Sequence, residues 1–449
     1  MAHPDRVLKK MKIRIVDWVV ILLVVLSPII GALSLIMVFL LTLYIITSCL
    51  KVKYSKGSIN FPFKLLGISF ILYFIYFFLH GLAFEDNLYQ LKRVVQKIVP
   101  ILIIGVLALT TQDRTFSLNH KFFGTLTTWS LYITFSLAIL IFVINPQFIF
   151  MGHTLASKAS VFGRLEMGTH NPLIFAIIIT TLGFLSLLSF EQKTFFEKIT
   201  SLVILLICVL TVFFWNSSRG PFLVCLPLCV ISIWYIRPNI NNFYNQTNKK
   251  IFWVILISTI FFSFILIYLN FEFISQNKKL VHLINGIRSI YSDNDYTSSM
   301  PVRQILWIYS LEALSLKPIF GYGISHKIDA ITPFNNMPLN PHPISLHFNH
   351  LHNIYLNHLI SGGIFGFLIL IFYLFSVIFV IKRGNRKISR ESKYFIIIVL
   401  TSLMLNGLTN VILMHELLSH FFSMLIFLSL ICSKNDLEPM KTSVSRSIN

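Results

Sequence analysis

Arginine and histidine are the residues whose placing in this chain points to chemistry. Arg219 sits in NSSRGPF (216–222), where Pro221 is set to open a helix. Free N–H groups and the dipole at such a helix start attract anions, and a guanidinium beside them adds a planar, permanently charged fork suited to phosphate. Arg303 opens VRQILWIYSLEAL (302–314), which reads as an amphipathic helix after Pro301. A cation at that end opposes the helix dipole by roughly a few tenths of a kcal/mol unless an anion is shared. Arg164, in GRLEMGTHNP (163–172), and Arg288 are further candidates for the same role. Each arginine also has a plainer reading, as a side chain snorkelling to lipid headgroups or solvating a helix end.

His342, His347, His350 and His352 crowd one stretch, with His358 shortly after. Imidazole changes charge near neutral pH, so a histidine here suits proton abstraction; it is also the commonest zinc ligand. No Cys, Asp or Glu close by supplements the group and no HExxH spacing occurs, so the expectation is no metal. The ordinary alternative is an interfacial histidine satisfied by a backbone carbonyl. In NHLHNIYLNHLISGGIFGF (349–367) the pair His350 and His352 stands directly before a long apolar run.

The elements that must position these side chains are membrane spans. Of 449 residues, 55% are hydrophobic and only 12% charged, with a mean hydropathy of +0.77. Soluble chains carry about twice that charged fraction. Twelve apolar stretches are read as spans, at 15–29, 31–50, 63–80, 98–111, 122–145, 172–190, 199–215, 220–236, 251–270, 353–381, 394–412 and 417–432, most of them long enough to cross ~30 Å of hydrocarbon. The fold class expected is therefore all-α, a polytopic integral membrane helix bundle.

A net charge of +20 raises nucleic acid as a partner, but its distribution argues against that. With the N-terminus inside, the inner segments hold 25 of the 37 Lys and Arg residues, the positive-inside signature. Both termini are then expected to be cytoplasmic. The chain divides into spans at 1–270, one large outer loop at 271–352, spans at 353–432 and an inner tail at 433–449. The loop carries six Lys/Arg against five Asp/Glu, which fits discrete anion contacts better than a polyanion groove. No Asp or Glu falls near the middle of any span, whereas ion-coupled transporters commonly bury carboxylates there. The five cysteines, in spans or at their inner ends, suggest packing rather than disulfides.

Four motifs together resemble the O-antigen ligase and polymerase superfamily of bacterial envelope glycosyltransferases. They are SRG at 218–220; Arg164, Gly168, Asn171 and Pro172; Arg303, Trp307, Pro318, Gly321 and Gly323; and His352, Asn353, Tyr355, Leu356, Leu359, Gly363 and Gly366. The resemblance implies a multi-pass protein of the bacterial inner membrane whose large loop is periplasmic. It implies a glycan donor on undecaprenyl pyrophosphate and, for a ligase, a lipid A-core sugar hydroxyl as acceptor, with membrane lipids as surroundings and no cofactor. His352 would be the general base, Arg219 and Arg303 would bind pyrophosphate with Arg164 and Arg288 as helpers, and His350, Asn353 and Tyr355 would support. Attack from the opposite face would invert the anomeric centre. A single dominant outer loop favours ligase over polymerase; a lipid-linked glycan flippase or other transporter is the third class.

Overall fold

A computed structural model describes residues 61–110, 120–144, 150–151, 164–165, 172–216, 219–246, 299–335, 350–383 and 389–435. The expected spans at 15–29, 31–50 and 251–270 lie outside these residues, as do Arg288, His342, His347 and most of the tail at 433–449.

In hydrocarbon every backbone N–H and C=O must be satisfied within the chain, so apolar runs become helices. In order they are α1 (Phe61–Phe84), α2 (Leu88–Thr110), α3 (His120–Ile144), α4 (Pro172–Leu185), α5 (Phe195–Leu210), α6 (Arg219–Gln246), α7 (Ser299–Leu316), α8 (Lys327–Asn335), α9 (Ile354–Arg383), α10 (Arg390–Gly407) and α11 (Glu416–Asn435). A π-helical turn, Thr211–Asn216, continues α5. The described chain is otherwise helical apart from one two-residue antiparallel pair, β1 (Phe150–Met151) with β2 (Arg164–Leu165). Among the described residues, five helices are long and apolar enough to cross a membrane: Lys64–Phe84, His120–Leu140, Phe195–Phe213, Gly220–Arg237 and Ile354–Phe379.

Each expected span within the described residues coincides with a helix. The largest difference is at α2, which starts at Leu88 rather than at 98. Its first turns carry exposed Lys92 and Arg93, so the helix continues past its apolar part, where hydropathy alone cannot follow it. The sequence-predicted loop helix at 302–314 is α7, and α8 is a second one.

α1 and α2 cross closely, with Gly67 facing Gly105, and α9 packs on α1. α10 packs on α6, α11 on α2 and on α10. The loop helices have their own small core. Ile305, Leu306 and Ala313 of α7 meet Ala330 and Ile331 of α8, with Leu351 and Ile360 from the chain entering and forming α9.

The joint between that loop and the bundle is made of main chain. α9 is interrupted at Gly363 (φ 61°, ψ −162°), a region open almost solely to glycine. The segment after α7, Pro318 to Gly323, fills the interruption. Tyr322 N–H donates to Ile360 O (2.9 Å) and Gly323 N–H to Ser361 O (2.9 Å), while Ile364 N–H donates to Pro318 O (2.9 Å) and Phe365 N–H to Ile319 O (3.4 Å). Polar groups released by the break are thereby satisfied by protein rather than left facing lipid. Gly321 (φ 70°) lies against the Ile360 carbonyl and Gly363 against that of Ile319, so a Cβ on either would overlap backbone. α1 reinforces the joint. Tyr76 Oη–H donates to Gly362 O, and the His80 ring bonds Phe320 O through Nε2 (2.6 Å).

Gly363→Ala and Gly321→Ala are each expected to cost more than the ~1–2 kcal/mol of a left-handed residue, because the backbones must also separate. The check is thermal unfolding of purified protein in detergent, with Gly366→Ala as comparison: Gly366 lies in ordinary helix, and a Cβ there would meet the His358 carbonyl at 3.1 Å, tight but not overlapping.

Candidate functional site

The site grows from the start of α9. Asn353 caps that helix, its Oδ1 accepting from Tyr355 N–H (2.9 Å) and Leu356 N–H (3.1 Å), a cap of the kind worth ~1 kcal/mol. His352, just before it, has φ 51°, a left-handed conformation uncommon for a residue with a side chain. Such strain of ~1–3 kcal/mol persists only where the surroundings enforce it, and it clusters at functional positions.

Leu351 supplies the enforcement. Its side chain is fully buried in the loop core and its carbonyl accepts from the Trp307 indole Nε1–H (3.0 Å). Trp307 lies four residues after Arg303 on α7, so both share one helix face. The indole therefore pins the peptide next to His352 while the guanidinium one turn away acts on the imidazole. Burial and the Arg303 charge push His352 down to about 4. Its ring lies 4.3 Å from that of His350, centroid to centroid. Burial, with the charges of His352, Lys327, His415 and Lys97, pushes His350 down to about 3. His415, between α10 and α11, is held at about 4 by burial and Lys97. All three imidazoles are thus neutral at physiological pH.

His358 does not join them. It is buried in α9, its Nδ1 against Ile354 O (2.7 Å) and its Nε2 against Tyr73 Oη (2.6 Å). The carbonyl can only accept, so Nδ1 carries the proton and the tyrosine donates to Nε2. Tyr355, expected to support the site, instead spends its hydroxyl on Met404 O (3.1 Å), tying α9 to α10.

Arg219 is the first residue of α6, as the proline pattern predicts. Gly220 beside it rests against Thr409 just past α10, and Gly407 at the end of α10 rests against Ile354 and Tyr355. The helix start that bears Arg219 therefore belongs to the same end of the bundle as His352. Arg164 lies in β2, paired opposite Met151, and β2 packs against the π-helical turn that leads toward Arg219.

Three residues here escaped the sequence reading: Lys327 at the start of α8, Lys97 on α2 and His415. Lys327 is 6% exposed, and burial together with Lys97 pushes its ammonium down to about 7, with Glu85 pulling the other way. Among the described residues no group of three or more His, Cys, Asp and Glu side chains is placed to share a metal ion.

These features define an integral membrane protein with a cationic, histidine-bearing site at one end of a helix bundle. A family model described as O-antigen ligase (Wzy_C) matches residues 204–371, the stretch holding Arg219, Arg303, His352 and the glycine joint, and over that stretch the chain is similar to the O-antigen ligase superfamily. Members of that family are glycosyltransferase-like enzymes of lipopolysaccharide biosynthesis. A search of curated proteins finds no match.

Removing the Arg303 charge takes away one of the two causes that hold His352 low, burial being the larger. Arg303→Gln is expected to raise the His352 midpoint part of the way from about 4 toward the ordinary 6.5. Histidine NMR titration of isotope-labelled protein, assigned with His352→Gln, measures it. An unchanged midpoint would mean that the two side chains do not face each other.

Proposed function

We propose that this protein is an O-antigen ligase working at the periplasmic face of the inner membrane. It transfers a glycan from undecaprenyl pyrophosphate to a sugar hydroxyl of lipid A-core, inverting the anomeric centre and using no metal. The observation that carries this reading is the convergence of Arg303 and His352 at the entrance to α9, with α6 delivering the Arg219 helix start to the same end.

The chemistry divides between these groups. The acceptor hydroxyl attacks the anomeric carbon, its proton passes to His352, and the bond to the pyrophosphate oxygen breaks with its electron pair leaving on phosphate. Negative charge grows on the departing group, and cations fixed in place beforehand stabilise it without reorganising. Arg303 and Arg219 take that role, with Arg164 and Arg288 as helpers. A base must begin neutral, and burial beside Arg303 keeps His352 neutral at pH 7. Bound pyrophosphate offsets the Arg303 charge and so raises the basicity of His352 part of the way when the proton has to move. Asn353 and His350 hold the imidazole's setting, the first by capping α9 and the second by ring contact.

The reading predicts lipopolysaccharide ladders when wild-type protein complements a ligase-deficient strain, and bare core with His352→Ala at equal expression. Loss of a positioned base lowers transfer by ~10²–10⁴, enough to empty the ladder. Long chains restored only in a polymerase-deficient strain would replace ligase by polymerase. Full ladders from His352→Ala would remove His352 as the base.

A further inference from the structure

Helix α7 is apolar on two sides. Its inner side, with Ile305, Leu306 and Ala313, is spent on the loop core. Its outward arc carries Ile308, Leu311 and Leu316, which are 53%, 53% and 69% exposed. A helix standing in water keeps that side polar, although single apolar residues on it need no account. These do not stand singly. Ile319 and Phe320 follow directly, both exposed, and the Phe320 ring stacks on Phe365 of α9 with 5.6 Å between centroids. Phe365 in turn begins an exposed apolar side of α9 that continues through Leu368 and Phe375.

The fold of α9 sets the depth of this junction. A Cβ on Gly366 would lie 3.1 Å from the His358 carbonyl oxygen. Unbroken helix separates groups eight residues apart by roughly 10 Å. The part of α9 before Gly363 is therefore turned back on the part after it, and only the second part runs on as a span. From Ile364 to Arg383 that part extends about 30 Å at 1.5 Å per residue, the thickness of the hydrocarbon layer. Lys382 and Arg383 close its far end, where cations mark a membrane boundary. Ile364 and Phe365 then lie at the near edge of the hydrocarbon. Pro318 O and Ile319 O accept their N–H groups, so the chain leaving α7 is held at the same edge. Leu316, two residues before Pro318, is within about 7 Å of it by chain reach, and Leu311 stands ~8 Å further along the helix axis. The headgroup layer is itself about 5–8 Å deep on each side.

We propose that the outward arc of α7 is seated in the boundary between headgroups and acyl chains on the side of the site, with the acyl chains of that leaflet as its partner. The polar residues on the arc suit that layer. Gln304, Glu312 and Ser315 are interleaved with the apolar ones, a mixture that belongs to the boundary and not to the hydrocarbon interior. Ser315 Oγ–H donates to Glu312 O (2.6 Å), and Lys317 Nζ lies 4.8 Å from the centre of the Tyr322 ring. The helix that carries Arg303 and Trp307 is then a membrane-surface element, not part of a loop free in water. A charged group borne on a lipid of that leaflet reaches Arg303 by sideways movement along the membrane. The proposal rests on the membrane character of the chain and not on the ligase reading, so either can fail without the other.

The test uses full-length protein in phosphatidylcholine nanodiscs, with the native cysteines replaced by alanine. A single nitroxide is placed at Leu311→Cys or Leu316→Cys, with Asp329→Cys on the exposed side of α8 as the aqueous reference and Leu368→Cys as the reference within the span. The collision rate with oxygen, relative to that with a water-soluble nickel chelate, is expected to be several-fold higher at Leu311→Cys and Leu316→Cys than at Asp329→Cys, moving toward the value at Leu368→Cys. A ratio equal to that of Asp329→Cys at either position overturns the proposal, because the face then meets water. A label that neither reagent reaches also overturns it, because protein then covers the face. Unmodified protein supplies a second reading, free of substitutions, in nanodiscs holding a phospholipid with a diazirine on its acyl chain. After irradiation, mass spectrometry is expected to find adducts on α7 as well as on α9. Adducts on α9 with none on α7 overturn the proposal.

Discussion

The exchange of four backbone hydrogen bonds between the interruption in α9 and the Pro318–Gly323 segment is the constraint on which the rest of the site depends. A break in a membrane helix releases carbonyls and N–H groups that lipid cannot satisfy. Here Ile360 O and Ser361 O are met by Tyr322 and Gly323, and the N–H groups of Ile364 and Phe365 by Pro318 and Ile319. The same bonds that make the break tolerable lock α7 and α8 over the entrance to α9. Arg303, Trp307 and Lys327 are carried on those two helices. The joint and the Trp307–Leu351 hydrogen bond together hold the Arg303 face of α7 toward His352.

Electrostatically the resting site is far from comfortable. Three histidines are held neutral first by burial and then by neighbouring positive charge, from Arg303 on His352, from Lys97 on His415 and from Lys327 and Lys97 on His350. The same burial that keeps these rings uncharged also makes them weak bases, so that a proton moves to one of them only when a neighbouring charge changes. The left-handed φ of His352 adds a local backbone cost at the same place.

Much of this was legible in the sequence, in uneven measure. The helices α3 to α6 and α9 to α11 follow from apolar run length, which needs no knowledge of packing. α7 was visible because Pro301 lies in its first turn and Pro318, Gly321 and Gly323 follow its end. The alternating direction of the helices brought Arg219 and His352 to one end in advance of any coordinates. The interruption at Gly363 was not visible, because its flanks are as apolar as any continuous span, and the positive φ is imposed by a loop more than forty residues earlier. Lys327 was missed for a different reason. In a loop of near-balanced charge a lysine reads as solvated, and only tertiary structure shows that Lys327 is buried. Tyr355 shows the converse: its place in the motif gave no sign that its hydroxyl ties α9 to α10.

Because the joint is built from main chain, the side chains along it are left with other work. Ile319, Phe320, Ile364 and Phe365 all turn outward, 48–53% exposed. The polar half of each of these residues faces protein and the apolar half faces outward, so the seam presents hydrocarbon to its surroundings although it is held by amides. Its outer coat can therefore be rewritten residue by residue, to suit a thicker or thinner bilayer or a differently shaped lipid, provided the apolar character and the glycines remain. Adaptation to the membrane and adaptation to the glycan are in this way assigned to different atoms of the same segment, and neither has to wait for the other.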